Sequence, residues 1–249
     1  LKSAYDNRQY NHVELTNGLR ILLVQDKNCV KSACSVTFNT GHFNDDKDCH
    51  GISHLLEHML FLGNAEFTEP NAFNDFIATH GGSINALTGT EYSSYFYEIA
   101  AEYEQQALAH LYAMLSQPLF LEAFIEKEIN TINAEFLLKQ KDDLRRLYQV
   151  HKETCNPEHP FSQFSVGNHQ TFEPFSPFQL KQKLIRIFER FYQPQNACLC
   201  LVSNQELSVS EESIRQQFSD WPSNNTFPIE PLPVLYLEHD LGVQINILP

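Results

Sequence analysis

The chain of 249 residues is 42% hydrophobic and 19% charged, enough for one large folded domain or two small ones, and this excludes a disordered polyelectrolyte. Its formal net charge of −14 leaves no basic stripe for phosphates, which excludes nucleic acid as a partner and favours cationic partners or substrates. No apolar run reaches the roughly 20 residues of a membrane-spanning helix, so no membrane partner is expected.

The opening Leu-Lys-Ser-Ala-Tyr-Asp-Asn is polar and has no signal-peptide stretch, which points to the cytoplasm. It begins on Leu rather than Met, so a trimmed leader and a periplasmic location stay open. Val13 to Leu15, Thr16-Asn17-Gly18 and Leu19 to Val24 read as strand, turn and strand. Ala33 to Phe38 alternates as a further strand. His42, His50 and the Asp45-Asp46-Lys47-Asp48 run read as a solvated loop. The spacing then predicts a helix from Gly51, with Leu55, Met59 and Leu62 on one stripe and Gly63 as its stop. Asn71 to His80 is a second helix, closed by Gly81-Gly82 with His80 at its end. Tyr92 to Ala100 is a strand, and Glu102 to Leu115 a helix with Leu108, Leu111, Tyr112 and Leu115 on its stripe.

After Pro118 one long helix is predicted from about Leu121 to Val150, followed by a loop from Asn156 to Pro177 in which His159 makes a hydrogen bond. Ser176-Pro177 caps a helix bearing Leu180, Leu184, Ile187 and Phe191; Asn196 to Val202 is a core strand, and Ser210 starts a short helix. Pro222, Pro228, Pro231 and Pro233 mark a linker, beyond which Leu241 to Leu248 is strand-like. The chain therefore reads as a main domain over 1–220 and, over 221–249, a Pro-rich linker with the start of a following domain. Cys29, Cys34, Cys49, Cys155, Cys198 and Cys200 form no C-x-x-C pair and read as buried free thiols of a reducing compartment. The mixture of strands and helices gives an α+β fold.

His54, Glu57 and His58 stand out within an apolar helix. Each helical residue advances about 100°, so His54 and His58 lie one turn apart on one face, with Glu57 beside them. Two imidazoles at i and i+4 can chelate one divalent ion, and the neighbouring carboxylate can serve as a proton acceptor; this is the H-x-x-E-H order. The bland alternative is three polar residues meeting by chance on a solvated face. Against it stands the cost of burying unpaired imidazoles among Leu55, Leu56, Met59 and Leu60. Two histidines fall short of the three protein ligands of a catalytic zinc. Glu128 and Glu135, seven residues apart on one helix face flanking Ile129 and Ile132, are candidates, although by pattern alone that face is an ordinary charged one.

H-x-x-E-H, then 76 residues (positions 59 to 134), then Glu135 with Glu128 seven residues before it, resembles the pitrilysin/insulysin (M16) family of zinc peptidases. Leu-Thr-Asn-Gly-Leu-Arg-Ile-Leu-Leu-Val, Gly82-Ser-Ile-Asn-Ala86 and Asn156-Pro-Glu-His-Pro-Phe-Ser-Gln-Phe-Ser-Val-Gly-Asn168 are similar to its insulin-degrading-enzyme branch, through most of residues 1–205. The resemblance implies a mixed, largely antiparallel sheet with helices packed on it, and Zn2+ held by His54, His58 and Glu135. It further implies Glu57 as general base and Glu128 as a carboxylate beside the ligands. Asn85 and Ala86 are implied to hold substrate backbone along a strand edge, with Tyr148 near the pocket beyond the cleaved bond. Arg145 departs from the Trp that the branch carries there. The implied function is a zinc endopeptidase acting on peptides or small proteins, weak or inactive without the remaining domains of a longer chain. A catalytically silent scaffold subunit, or one subunit of a two-chain processing peptidase, is the alternative. The intact motif speaks against the first; the Asn-Pro-x-His-Pro segment and the Pro-rich exit speak against the second.

Overall fold

The computed structural model describes residues 2–224, 231–244 and 246. Strands β1 (Gln9–Glu14) and β2 (Arg20–Gln25) form the predicted hairpin. Gly18 turns it at φ +87°, a backbone conformation that glycine adopts without penalty. β3 (Lys31–Phe38) precedes helices α1 (Ile52–Leu60) and α2 (Ala72–Thr79). Then come β4 (Ser83–Thr88), β5 (Ser93–Ala100), α3 (Glu104–Ser116) and α4 (Glu122–Lys139). α5 (Asp143–Glu153), the short α6 (His169–Phe172), α7 (Pro177–Phe191), β6 (Ala197–Ser203) and α8 (Leu207–Phe218) complete the order.

The sheet runs β1-β2-β6-β3-β5-β4. β6 is parallel to β2, and every other pairing is antiparallel, so the fold is α+β with a mixed, largely antiparallel sheet. Alternation dictates the core. Cys34, Val36 and Phe38 of β3, Tyr95, Tyr97 and Ile99 of β5, and Leu199 and Leu201 of β6 are buried in one cluster with Leu55, Leu56 and Met59 of α1 and Ile125 and Ile132 of α4. β6 slots between the first hairpin and β3. Among the described residues β4 is left at an edge, paired with β5 alone.

Several expectations need correcting. The helix expected from Leu121 to Val150 is two helices, because Asp142 leaves helical geometry and its carboxylate accepts the N–H of Arg145 (2.9 Å), capping a new start. The last helix begins at Leu207, three residues before Ser210. The acidic loop before α1 is not simply solvated: His42 and Asp45 are buried. All six cysteines are free, but Cys198 is exposed on the outer face of β6 and Cys29 and Cys200 are half-buried. Of the expected terminal strand Leu241 to Leu248, described residues 241–244 and 246 form no strand, and the others lie outside the described residues. No helix is long and apolar enough to cross a membrane among the described residues.

A buried histidine in this core sets a pH limit. His110 on α3 lies among the rings of Phe67 (centroids 3.6 Å apart), Phe76 and Phe73, and burial pulls its pKa down to about 4. The unfolded chain protonates this group near 6.5. Its contribution to stability is therefore complete above pH 6.5 and is lost as the pH falls towards 4. The loss is on the order of 2 kcal/mol after allowing for solvent screening. The difference in Tm between the wild type and His110→Phe should vary with pH across this window; a pH-independent difference would remove the explanation.

Candidate metal centre

α1 starts at Gly51, which adopts φ +86°. Asp45 supplies the cap from outside the helix, accepting the N–H groups of Gly51 (2.7 Å) and Ser53 (3.0 Å). Gly51 also packs backbone to backbone on Gly167, where a Cβ would come within 2.4 Å of its N and Cα. The start of the helix is thereby locked to the segment that carries Val166.

That lock orients the first imidazole. His54 Nδ1 lies 2.7 Å from the Val166 carbonyl oxygen, which can only accept, so Nδ1 carries the proton and Nε2 keeps its lone pair. Burial, reinforced by the nearby His58, lowers the His54 pKa to about 4 and holds the ring neutral. His58 Nδ1 in turn donates to Glu128 Oε2 (3.2 Å), again freeing Nε2, which lies 3.8 Å from Glu135 Oε1. Burial acts to lower the His58 pKa, but the Glu128 hydrogen bond and the charges of Glu135 and Glu57 outweigh it and the pKa rises. The two rings stand perpendicular, 4.8 Å apart. Glu135 Oε2 accepts from Lys139 Nζ (3.1 Å); burial opposes ionisation, and Lys139 with the two histidines still brings its pKa below the usual value.

Donor atoms of His54, His58 and Glu135 lie within 4.8 Å of one another, the one such group of His, Cys, Asp or Glu among the described residues. A tetrahedral ion with bonds of 2.0–2.2 Å spaces its ligand atoms by about 3.4 Å, so a small contraction fits zinc, and the nitrogen–nitrogen–oxygen set suits it. Glu57 stands beside this trio without belonging to it. Thr88 Oγ1 of β4 donates to its Oε2, and burial raises its pKa.

The trio opens on a cavity of about 720 Å³ lined also by Glu57, Asn85, Ala86 and Tyr148. Asn85 and Ala86 lie on the unpaired edge of β4, the Ala86 N–H being held by the Asn85 side chain (2.9 Å). Tyr148 packs edge-on against Phe161. Thus every residue singled out in the sequence lines this cavity or, for Glu128, bonds a residue that does. Sequence reasoning missed three parts of the support: the Val166 carbonyl, Thr88 and the Asp45 cap. A backbone carbonyl has no side-chain signature, and Asp45 looked like one more acid in a charged run.

Residues 20–161 match the family described as insulinase (peptidase family M16), and residues 180–247 match the peptidase M16 inactive domain. The chain is 32% identical to the A-factor-processing enzyme of Saccharomyces cerevisiae over 243 residues, covering 96% of this chain and 24% of that protein. It is 32% identical over 236 residues to the insulin-degrading enzyme of Homo sapiens, covering 93% and 23% of the two chains. It is 30% identical over 250 residues to protease 3 of Escherichia coli, covering 100% and 26%. In three dimensions it superposes on the crystal structure of pitrilysin with a TM-score of 0.92 at 29% identity, over 96% of this chain and 26% of that one. The chain thus spans about a quarter of the length of these relatives. Sheet order, helix placement and the match over residues 20–161 lead to one conclusion: the chain belongs to peptidase family M16.

Proposed function

We propose that this chain is the zinc-binding part of an endopeptidase that hydrolyses peptide bonds in peptides or small proteins. The observation that carries the reading is the meeting of His54, His58 and Glu135 within 4.8 Å, both imidazoles having their Nε2 lone pairs freed by Nδ1–H hydrogen bonds. Zinc bound there would polarise a peptide carbonyl and bring the pKa of a coordinated water down to about 7. Glu57 then accepts the proton from the attacking water on its carboxylate and delivers it to the nitrogen of the departing amine. Thr88 fixes that carboxylate beside β4, whose free edge at Asn85 and Ala86 can take an extended peptide by strand addition. Tyr148 bounds the cavity on the α5 side.

Because the chain matches about a quarter of its relatives, further domains are its natural partners, and the chain by itself binds zinc but cleaves weakly. Six free thiols suit a reducing compartment such as the cytoplasm. Metal titration tests the centre. The wild type should bind one zinc per chain. His58→Ala should lose affinity by more than the roughly 10–100-fold that outer partners contribute, whereas Glu128→Gln should fall inside that range. Equal zinc affinity in the wild type and His58→Ala would remove the proposal.

A further inference from the structure

The cavity at the candidate centre does not end at Tyr148. Lys139, Arg145, Tyr148, Ser165 and Val166 line both it and a second cavity of about 290 Å³ bordered by α4 and α5. Phe136, Val150 and Phe164 give the second space apolar walls. Its charged residues are mostly cationic. Lys139 is engaged by Glu135 at 3.1 Å, and Arg146 faces Asp143 at 3.5 Å. Glu153 also lines the cavity and accepts from Gln149 Nε2. Arg145 differs: its backbone N–H caps onto Asp142, and its guanidinium has no salt bridge among the described residues. The chain carries −14 overall, yet from Lys139 to Lys152 five cations (Lys139, Lys141, Arg145, Arg146, Lys152) face two aspartates, Asp142 and Asp143. The sign of the charge is reversed locally, beside the candidate centre.

The geometry points to Arg145 as a specificity-determining residue that selects an acidic side chain, Asp or Glu, from a peptide lying in the main cavity. This rests on the reading of that cavity as a peptide site. A guanidinium presents a rigid fork matched to a carboxylate, and with no internal partner it has no bond to give up when one arrives. A lysine or arginine of the peptide would meet Lys139, Arg145 and Arg146 instead. Solvent reaches the pair, so the preference is modest, about fivefold in Kd.

The test is an amide-resolved NMR titration of the zinc-loaded Glu57→Gln chain with three blocked pentapeptides, Ala-Ala-Xaa-Ala-Ala, in which Xaa is Glu, Gln or Lys. The same titration is repeated in chelator. The Glu peptide should move the amides of Arg145, Tyr148 and Val166 and bind about fivefold tighter than the Gln peptide, with the Lys peptide weakest. Arg145→Glu, at an exposed position, should reverse the order of Glu and Lys; Arg145→Lys should keep it with a smaller margin. An order unchanged in Arg145→Glu, or equal Kd values for all three peptides, overturns the assignment. Absence of any shift along β4 or α5 with every peptide overturns the peptide-site reading with it. Failure of the chain to bind added zinc, with the Glu-over-Lys order intact, overturns the metal reading alone.

Discussion

Glu57→Gln should keep one zinc per chain and remove peptide cleavage. The substitution preserves shape, and the Gln oxygen can still accept from Thr88 Oγ1, so the cavity wall and the three candidate ligands stay in place. What is lost is the ability to accept a proton. General-base catalysis contributes about 10²–10⁴-fold, so the single-turnover rate on a fluorogenic peptide, measured with the chain in excess, should drop by about 10³-fold. Burial raises the Glu57 pKa, the direction that makes a carboxylate a better proton acceptor. Cleavage at the wild-type rate by a zinc-replete Glu57→Gln chain would falsify the assignment.

Gly51→Ala should be strongly damaging for so small a substitution. An added Cβ would lie 2.4 Å from the N and Cα of Gly167, and both elements are backbone, so neither can swing aside. At φ +86° the alanine would also be held in a left-handed conformation. Overpacking and strain together cost about 3 kcal/mol or more. For a chain of this size that lowers Tm by roughly 6–12 °C. Because the clash pushes on the segment that carries the Val166 carbonyl, zinc affinity should fall about tenfold as the His54 ring loses its anchor. Gly81→Ala is the control: φ is +71°, but nothing lies within 4 Å of the added atom. A Tm for Gly51→Ala no lower than that of Gly81→Ala would show that the 51–167 contact is loose.

Much of this architecture was legible in the sequence for specific reasons. The hairpin announces itself through Asn17-Gly18, and α1 through the spacing of Leu55, Met59 and Leu62. β4 leaves no clear pattern in the sequence, because Ser83 to Thr88 alternates between exposed and half-buried residues without a buried stripe. An edge strand with one covered side leaves that weak trace. The break between α4 and α5 has no Pro or Gly to mark it, and Asp142 is one acid among several until its carboxylate is seen on the Arg145 N–H. The two glutamates of α4 were ambiguous by pattern, and only the family resemblance singled them out. In the fold, Glu128 accepts from Nδ1 of the His58 ring and Glu135 lies 3.8 Å from its Nε2.

The position of β6 has a consequence for synthesis. β6, made after the other five strands, separates β2 from β3, so on the ribosome the hairpin of β1 and β2 and the ladder of β3, β5 and β4 emerge as two pieces with open edges between them. They become one sheet when residues 197–203 have left the exit tunnel. Until then the nascent chain exposes hydrophobic strand edges of the kind that chaperones guard, and long-range closure of this sort is intrinsically slow.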